Sequence, residues 1–203
     1  MASVHITKDT ASEFLDGLSS ELRTGRGLVA ALVGRLSDVL IAHFTERNLE
    51  PNAKGWRKSG FWGEMASRTS PGEISDTRGE VVIADYRLAQ RVHGGTITAK
   101  EKGSLAFPIH PLAAGLRAGA GGSGDFSSFT ATTGIKLFRP GKPGAKKNVL
   151  AGLVDGKLEF FYALAKSVTQ AADPNALPST EKISEAMGDE TDAYLEEWEA
   201  ANT

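Results

Sequence analysis

Cysteine is absent from the 203 residues, which excludes disulfides, thiolate metal sites and a cysteine nucleophile, and lets the chain fold in a reducing compartment. The opening MASVHITKDT has no basic segment followed by an apolar run, and eighteen consecutive apolar residues occur nowhere. Neither a signal peptide nor a membrane span is expected, and assembly in a cytoplasm is the inference. Basic residues are nearly missing from one end. Residues 173–203 hold nine acidic side chains and one basic one, whereas residues 1–172 hold sixteen and twenty-two. The formal net charge of −2 thus conceals a body of +6 and an end of −8. The chain divides on this basis into a body, 1–172, and an acidic helical arm, 173–203. Such an arm either docks on a basic surface, its own or another subunit's, or stands as a solvated helix.

Chemical motifs are equally scarce. Gly119, Gly121 and Gly124 in GAGGSGDF satisfy G-x-G-x-x-G, but a dinucleotide fingerprint needs a strand before it, a helix after it and an acidic residue about twenty positions on. HPLAAGLRA does not read as a strand, FSSFTATTGIKLF reads as extended chain, and twenty positions past Gly119 stands Arg139. No Gly-Lys-Ser/Thr follows to make a P-loop. The segment reads instead as a flexible loop, and no cofactor is expected. His5, His43, His93 and His110 lack metal-ligand spacing, so no metal is expected. Ser104, His93 and Asp85 supply the residue types of a hydrolytic triad, but no G-x-S-x-G elbow supports one. A hydrolase is therefore kept only as an alternative.

What the sequence does contain is periodicity. Thr10 and Glu13 have capping-box spacing, followed by Ala11, Phe14, Leu15, Leu18 and Leu22 on one helical face as far as TGRG at 24–27. A second helix carries Leu28, Val29, Leu32, Val33, Leu36, Val39, Leu40 and Phe44, ends near Asn48 before Pro51, and should lie against a sheet. Phe61 to Arg68 reads as one or two helical turns. The period then becomes two: GEIS and EVVIAD flank the turn-forming DTRG as a hairpin, and TITAK, SLAFPI, TGIKLFR, NVLAGLV and KLEFFYALAKSV are further strand candidates. Pro174 and Pro178 end the strand region, and a last helix starts near Ser179 with Ile183, Met187, Tyr194, Leu195 and Trp198 as its apolar stripe. The fold class is α+β, with N-terminal helices on a mostly antiparallel sheet and a C-terminal helical arm.

Two sets of residues suggest interaction surfaces. Arg139, Lys142, Lys146 and Lys147 form a basic loop able to meet phosphates, which makes proximity to DNA an alternative role. No helix-turn-helix, zinc finger or stacking platform points to sequence-specific readout. Trp56, Phe61 and Trp62 offer large areas suited to core or subunit contact, and Tyr194 and Trp198 do so on the arm.

Three segments together resemble the tailed-bacteriophage virion morphogenesis family, also described as tail completion or head-tail joining proteins. HFTERNLEPNAKGWRKSGFWGEMA is similar to that family's helix end, Trp-containing loop and Phe-Trp turn. VHGGTITAKEKGSLAFPIHPLAAG resembles its Gly-Gly-Thr-Ile strand, basic loop and Leu-x-x-Pro strand, and YALAKSVTQAADPNALPS its Lys-Ser-Val strand exit and Asp-Pro segment. The resemblance spans residues 43–180, and the glycine-rich stretch from Gly119 to Gly124 departs from it. It implies a structural subunit without catalytic residues, forming a homo-oligomeric ring at the head-proximal end of a tail or at the neck. Tail tube, terminator or connector proteins would be its partners, and the virion its location. It also marks Trp56, Phe61, Trp62, Gly94, Gly95, Thr96 and Pro108 as shape-determining positions.

Overall fold

A computed structural model describes residues 15–20, 24–52, 54–100, 103–116, 126–141 and 148–202. Thr10 and Glu13, the glycine-rich stretch 119–124, and Lys142, Lys146 and Lys147 lie outside the described residues. The architecture is α+β. In chain order come α1 (Arg26–Leu49), α2 (Phe61–Ser67), β1 (Thr69–Ile74), β2 (Gly79–Ile83), α3 (Tyr86–His93), β3 (Gly95–Thr98), β4 (Leu105–Pro108), a 3-10 turn (Pro111–Ala113), α4 (Ser127–Thr133), β5 (Val149–Val154), β6 (Lys157–Ala165), β7 (Ser167–Gln170) and α5 (Thr180–Asn202). Residues 15–20 are helical as well. Contacts gather the chain into two compact units. One takes the described residues up to Thr45, Met65–Asp85 and those from Leu177 on; the other takes Glu46–Glu64 and the described residues of Tyr86–Ala176.

In the first unit α1 buries Val33, Val39, Leu40 and Phe44. By length and composition it is also apolar enough to cross a membrane, although Arg35 and Asp38 interrupt its middle. The hairpin β1–β2 is antiparallel, pairing Thr69 with Ile83 and Pro71 with Val81, with an irregularity between Pro71 and Ile74. Its turn is closed by the Ser75 N–H donating to the Arg78 carbonyl at 2.7 Å. Gly79 explains how helix and hairpin meet. A Cβ there would stand 2.2 Å from Val33 Cγ2 and 2.9 Å from Val29 Cγ1, so only a residue without a side chain fits beneath α1. At the hairpin's end the buried Asp85 carboxylate accepts from Arg68 at 2.7 Å.

Helix α5 belongs to the same unit. Ser179 caps it, its hydroxyl accepting from the Lys182 N–H at 3.2 Å, and a hydrogen bond from the Glu181 backbone N–H, joined by one from the Ser179 side chain, holds the Glu181 carboxyl below its ordinary pKa. Ala186 is buried, and Ile183, Met187, Tyr194 and Trp198 are half-buried on one face. Trp198 lies against the 15–20 segment, where a Cβ on Gly17 would sit 3.3 Å from its ring. The helix runs unbroken through Gly188.

The second unit is built on a core of Ala113, Phe129, Leu150, Phe161 and Tyr162. Burial raises the Tyr162 phenol above its ordinary pKa. The strand order β4–β6–β5 is antiparallel throughout, and β3 pairs with β7 in a separate two-stranded ladder. Gly94 ends α3 with a left-handed φ of 68°, and its missing Cβ would fall 2.7 Å from the Ala172 N–H group's nitrogen. That close approach leaves no room for a side chain at Gly94, where α3 turns into β3 beside the end of β7.

Several expectations are corrected. The β structure is three separate antiparallel groupings, not one sheet. FSSFTATTGIKLF is not extended: Ser127–Thr133 is helical, closed by Gly134 at φ 71°. Its serines and threonines have modest helix propensity, but burial of Phe129 against Phe161 and Tyr162 overrides it. TGIKLFR therefore forms no strand and contributes only an isolated bridge from Phe138 to Ala151. KLEFFYALAKSV divides at Lys166 between β6 and β7, so Ala165 and Ser167 pair with different partners. The segment Tyr86–His93, for which the sequence suggested no element, is a helix.

Candidate interaction groove

The loop after α1 is locally determined. Asn52 Oδ1 accepts from the N–H groups of Lys54 and Trp56, both at 3.0 Å, and its amide donates to the Trp56 carbonyl. One short side chain thereby replaces the hydrogen bonds a regular element would supply. Gly55 and Gly60 take left-handed φ values of 65° and 72° on either side of WRKS. Lys58 Nζ donates to the carbonyls of Asn48 and, at 3.1 Å, Glu50. This ties the loop to the end of α1, whose last carbonyls attract a cation.

These constraints present Trp56, Phe61 and Trp62 on one groove of about 470 Å³, with Pro108 and Gly115 also in its wall. Phe61 and Trp62 pack edge to face with centroids 4.8 Å apart. Arg47 lies 4.6 Å over Trp62, held by Asp173 at 2.8 Å and the Asn175 carbonyl at 3.0 Å. Arg87 and Arg91 lie 5.4 and 5.3 Å from the Phe61 ring, and Arg87 also bonds to Glu64. Lys54 covers Trp56 at 4.4 Å. Gly115 fits because it has no side chain: at φ 69°, a Cβ would meet the Lys58 carbonyl oxygen at 2.6 Å.

Five basic side chains and one acidic one, Glu50, line the groove. Glu50 is spent on Arg47, at 3.6 Å. Among the described residues, Lys54, Arg57, Lys58 and Arg91 have no carboxylate partner, and all four are exposed. Cations stacked on half-buried aromatics form a surface for anionic groups carried on an apolar frame. The sequence marked the aromatics but missed the cations. KGWRK was a local signal for three of them; Arg47 and Arg91 are brought in by the fold.

The other marked residues lie elsewhere. Arg139 is exposed at the wall of a more apolar pocket of about 660 Å³ lined by Leu105, Phe107, Phe126 and Phe138. Tyr194 and Trp198 are half-buried on α5. Ser104, His93 and Asp85 are not assembled into a triad within either unit. Asp85 belongs to the first unit and is engaged by Arg68, while Ser104 and His93 belong to the second. His110 is occupied structurally, with Nδ1 accepting from Leu112 at 3.2 Å and Nε2 2.9 Å from Glu159. Among the described residues no group of three His, Asp or Glu side chains is placed to hold a metal ion. Comparison with protein-family models, with curated proteins and with solved structures finds no match.

Proposed function

We propose that the protein is a non-enzymatic structural subunit of a phage tail or neck, forming a homo-oligomeric ring that completes the head-proximal end of the tail and joins tail to head. The reading rests on the resemblance over residues 43–180 and on one observation in particular. Trp56, Phe61, Trp62 and Pro108, which carry that resemblance from two distant segments, converge on a single open groove. A half-buried aromatic cluster bordered by exposed cations has the composition of an interaction hot spot. Electron microscopy of the purified protein and of particles tests the reading. The expected result is a ring at one end of the tail; a protein monomeric at every concentration and absent from particles overturns it.

The cations that lack carboxylate partners favour a second reading, a nucleic-acid-associated module near the genome. That reading requires duplex binding that weakens steeply with added salt, and salt-insensitive or absent binding removes it.

A further inference from the structure

The outward face of α5 answers the groove in sign. Glu181, Glu185, Asp189, Asp192, Glu196 and Glu199 are all exposed. At ~3.6 residues per turn they fall within about 80° of one another, one or two to each turn along the helix. The half-buried Ile183, Met187, Tyr194 and Trp198 occupy the opposite side. The stripe is therefore the face that packing within the unit leaves uncovered. Among the described residues no basic side chain is paired with Glu185, Asp189, Asp192 or Glu196. Like charges three and four residues apart repel along a helix, so this arrangement disfavours the helix in isolation and is relieved by an apposed cationic surface.

We infer that the groove formed by Trp56, Trp62, Lys54, Arg57, Lys58 and Arg91 receives the acidic stripe of α5 from a second copy of the chain. The inference rests on the ring reading and names the contact that would build the ring. Groove and stripe differ in shape and sign, so the contact is heterologous: each copy gives its α5 to one neighbour and its groove to another, and the series closes when the rotation permits. Guanidinium and ammonium groups meet carboxylates, while the indole rings pack on the helix's methylene groups. A phosphate polymer is less well matched, because the −8 end of the chain repels a polyanion, whereas that same end brings the carboxylates when the partner is a second copy. A groove of about 470 Å³ admits about a turn of side chains. Each contact is thus weak alone and becomes persistent when every copy is held on two sides.

Charge exchange in the full-length protein tests this. One variant reverses the groove (Lys54→Glu, Arg57→Glu, Arg91→Glu), leaving Lys58 to tie the loop to α1, and a second reverses the arm (Glu185→Lys, Asp189→Lys, Asp192→Lys). Assembly is read by analytical ultracentrifugation and microscopy, with circular dichroism establishing folding. Each variant alone should lose assembly by about tenfold or more at ~0.15 M salt. One chain carrying both reversals should recover it, because every contact then again joins opposite signs, and an equimolar mixture of the single variants should recover it wherever the two alternate. The combined chain provides the test even if one single variant folds poorly. Wild-type assembly by both single variants overturns the inference while leaving the ring reading intact, as does failure of both the mixture and the combined chain to recover. A wild-type protein that forms no assembly, free or in particles, overturns both. If the groove variant assembles normally but loses binding to a duplex oligonucleotide, the groove is a nucleic-acid surface and the inference is wrong.

Discussion

The groove and α5 carry opposite charges and are built in opposite ways. The groove's backbone is irregular, held by Asn52, by Lys58 on two carbonyls and by glycines with positive φ. Helix α5 is regular over all its turns, and its pattern follows from residue spacing alone. A surface of the first kind depends on single contacts whose loss displaces everything beside them. A surface of the second kind depends on periodicity, so one change removes little. Substitutions should separate the two accordingly.

The largest effect is expected from Gly115→Ala, which forces a side chain into a left-handed position and against the Lys58 carbonyl. A loss of about 2–4 kcal/mol is expected in urea unfolding, together with altered Trp56 and Trp62 fluorescence. Arg47→Ala comes next. It uncovers Trp62 and leaves Asp173 without its guanidinium, so about 1–3 kcal/mol should be lost, while helicity by circular dichroism stays nearly unchanged.

On the other side of the comparison, Ser179→Ala removes the α5 cap for about 1 kcal/mol and should leave the groove's tryptophan signal untouched. Glu181 adds a pH dependence to it. A carboxyl whose pKa is lowered by folding contributes stability above its ordinary value of 4.5 and loses it as the pH falls. The Ser179→Ala penalty should therefore shrink in acid. The smallest effect sharpens the contrast with the apolar core. Tyr162 has a raised pKa, so the wild-type protein loses stability as the pH rises beyond 10.0. Tyr162→Phe should flatten that alkaline decline in unfolding midpoints, with little change at neutral pH.

The same contrast explains what could be read from the chain. Helices α1 and α5 and the β1–β2 hairpin follow from spacing and turn residues, because each satisfies its backbone locally and shows one apolar face. Helix α3 shows little periodicity in sequence, since Leu88 and Val92 are its main inward residues and Arg87, Gln90 and Arg91 mask the period. In α4 the deciding term is tertiary, the burial of Phe129, which no local propensity carries. Lys166 divides a run that reads as continuous because strand pairing is a property of partners distant in sequence. Within the groove, Trp56, Phe61 and Trp62 were conspicuous by size. Their cations were not, because Arg47 and Arg91 acquire meaning only from the rings over which they lie.

A carboxylate ladder recurring on each turn of α5 has translational near-symmetry: sliding by one turn, about 5.4 Å, sets charge upon charge again. Coulomb attraction alone would leave such a rail free to shift along whatever grips it. Leu195, the only large apolar side chain exposed on α5 among the described residues, breaks that equivalence. A notch that accepts it would convert a sliding electrostatic contact into a single fixed register.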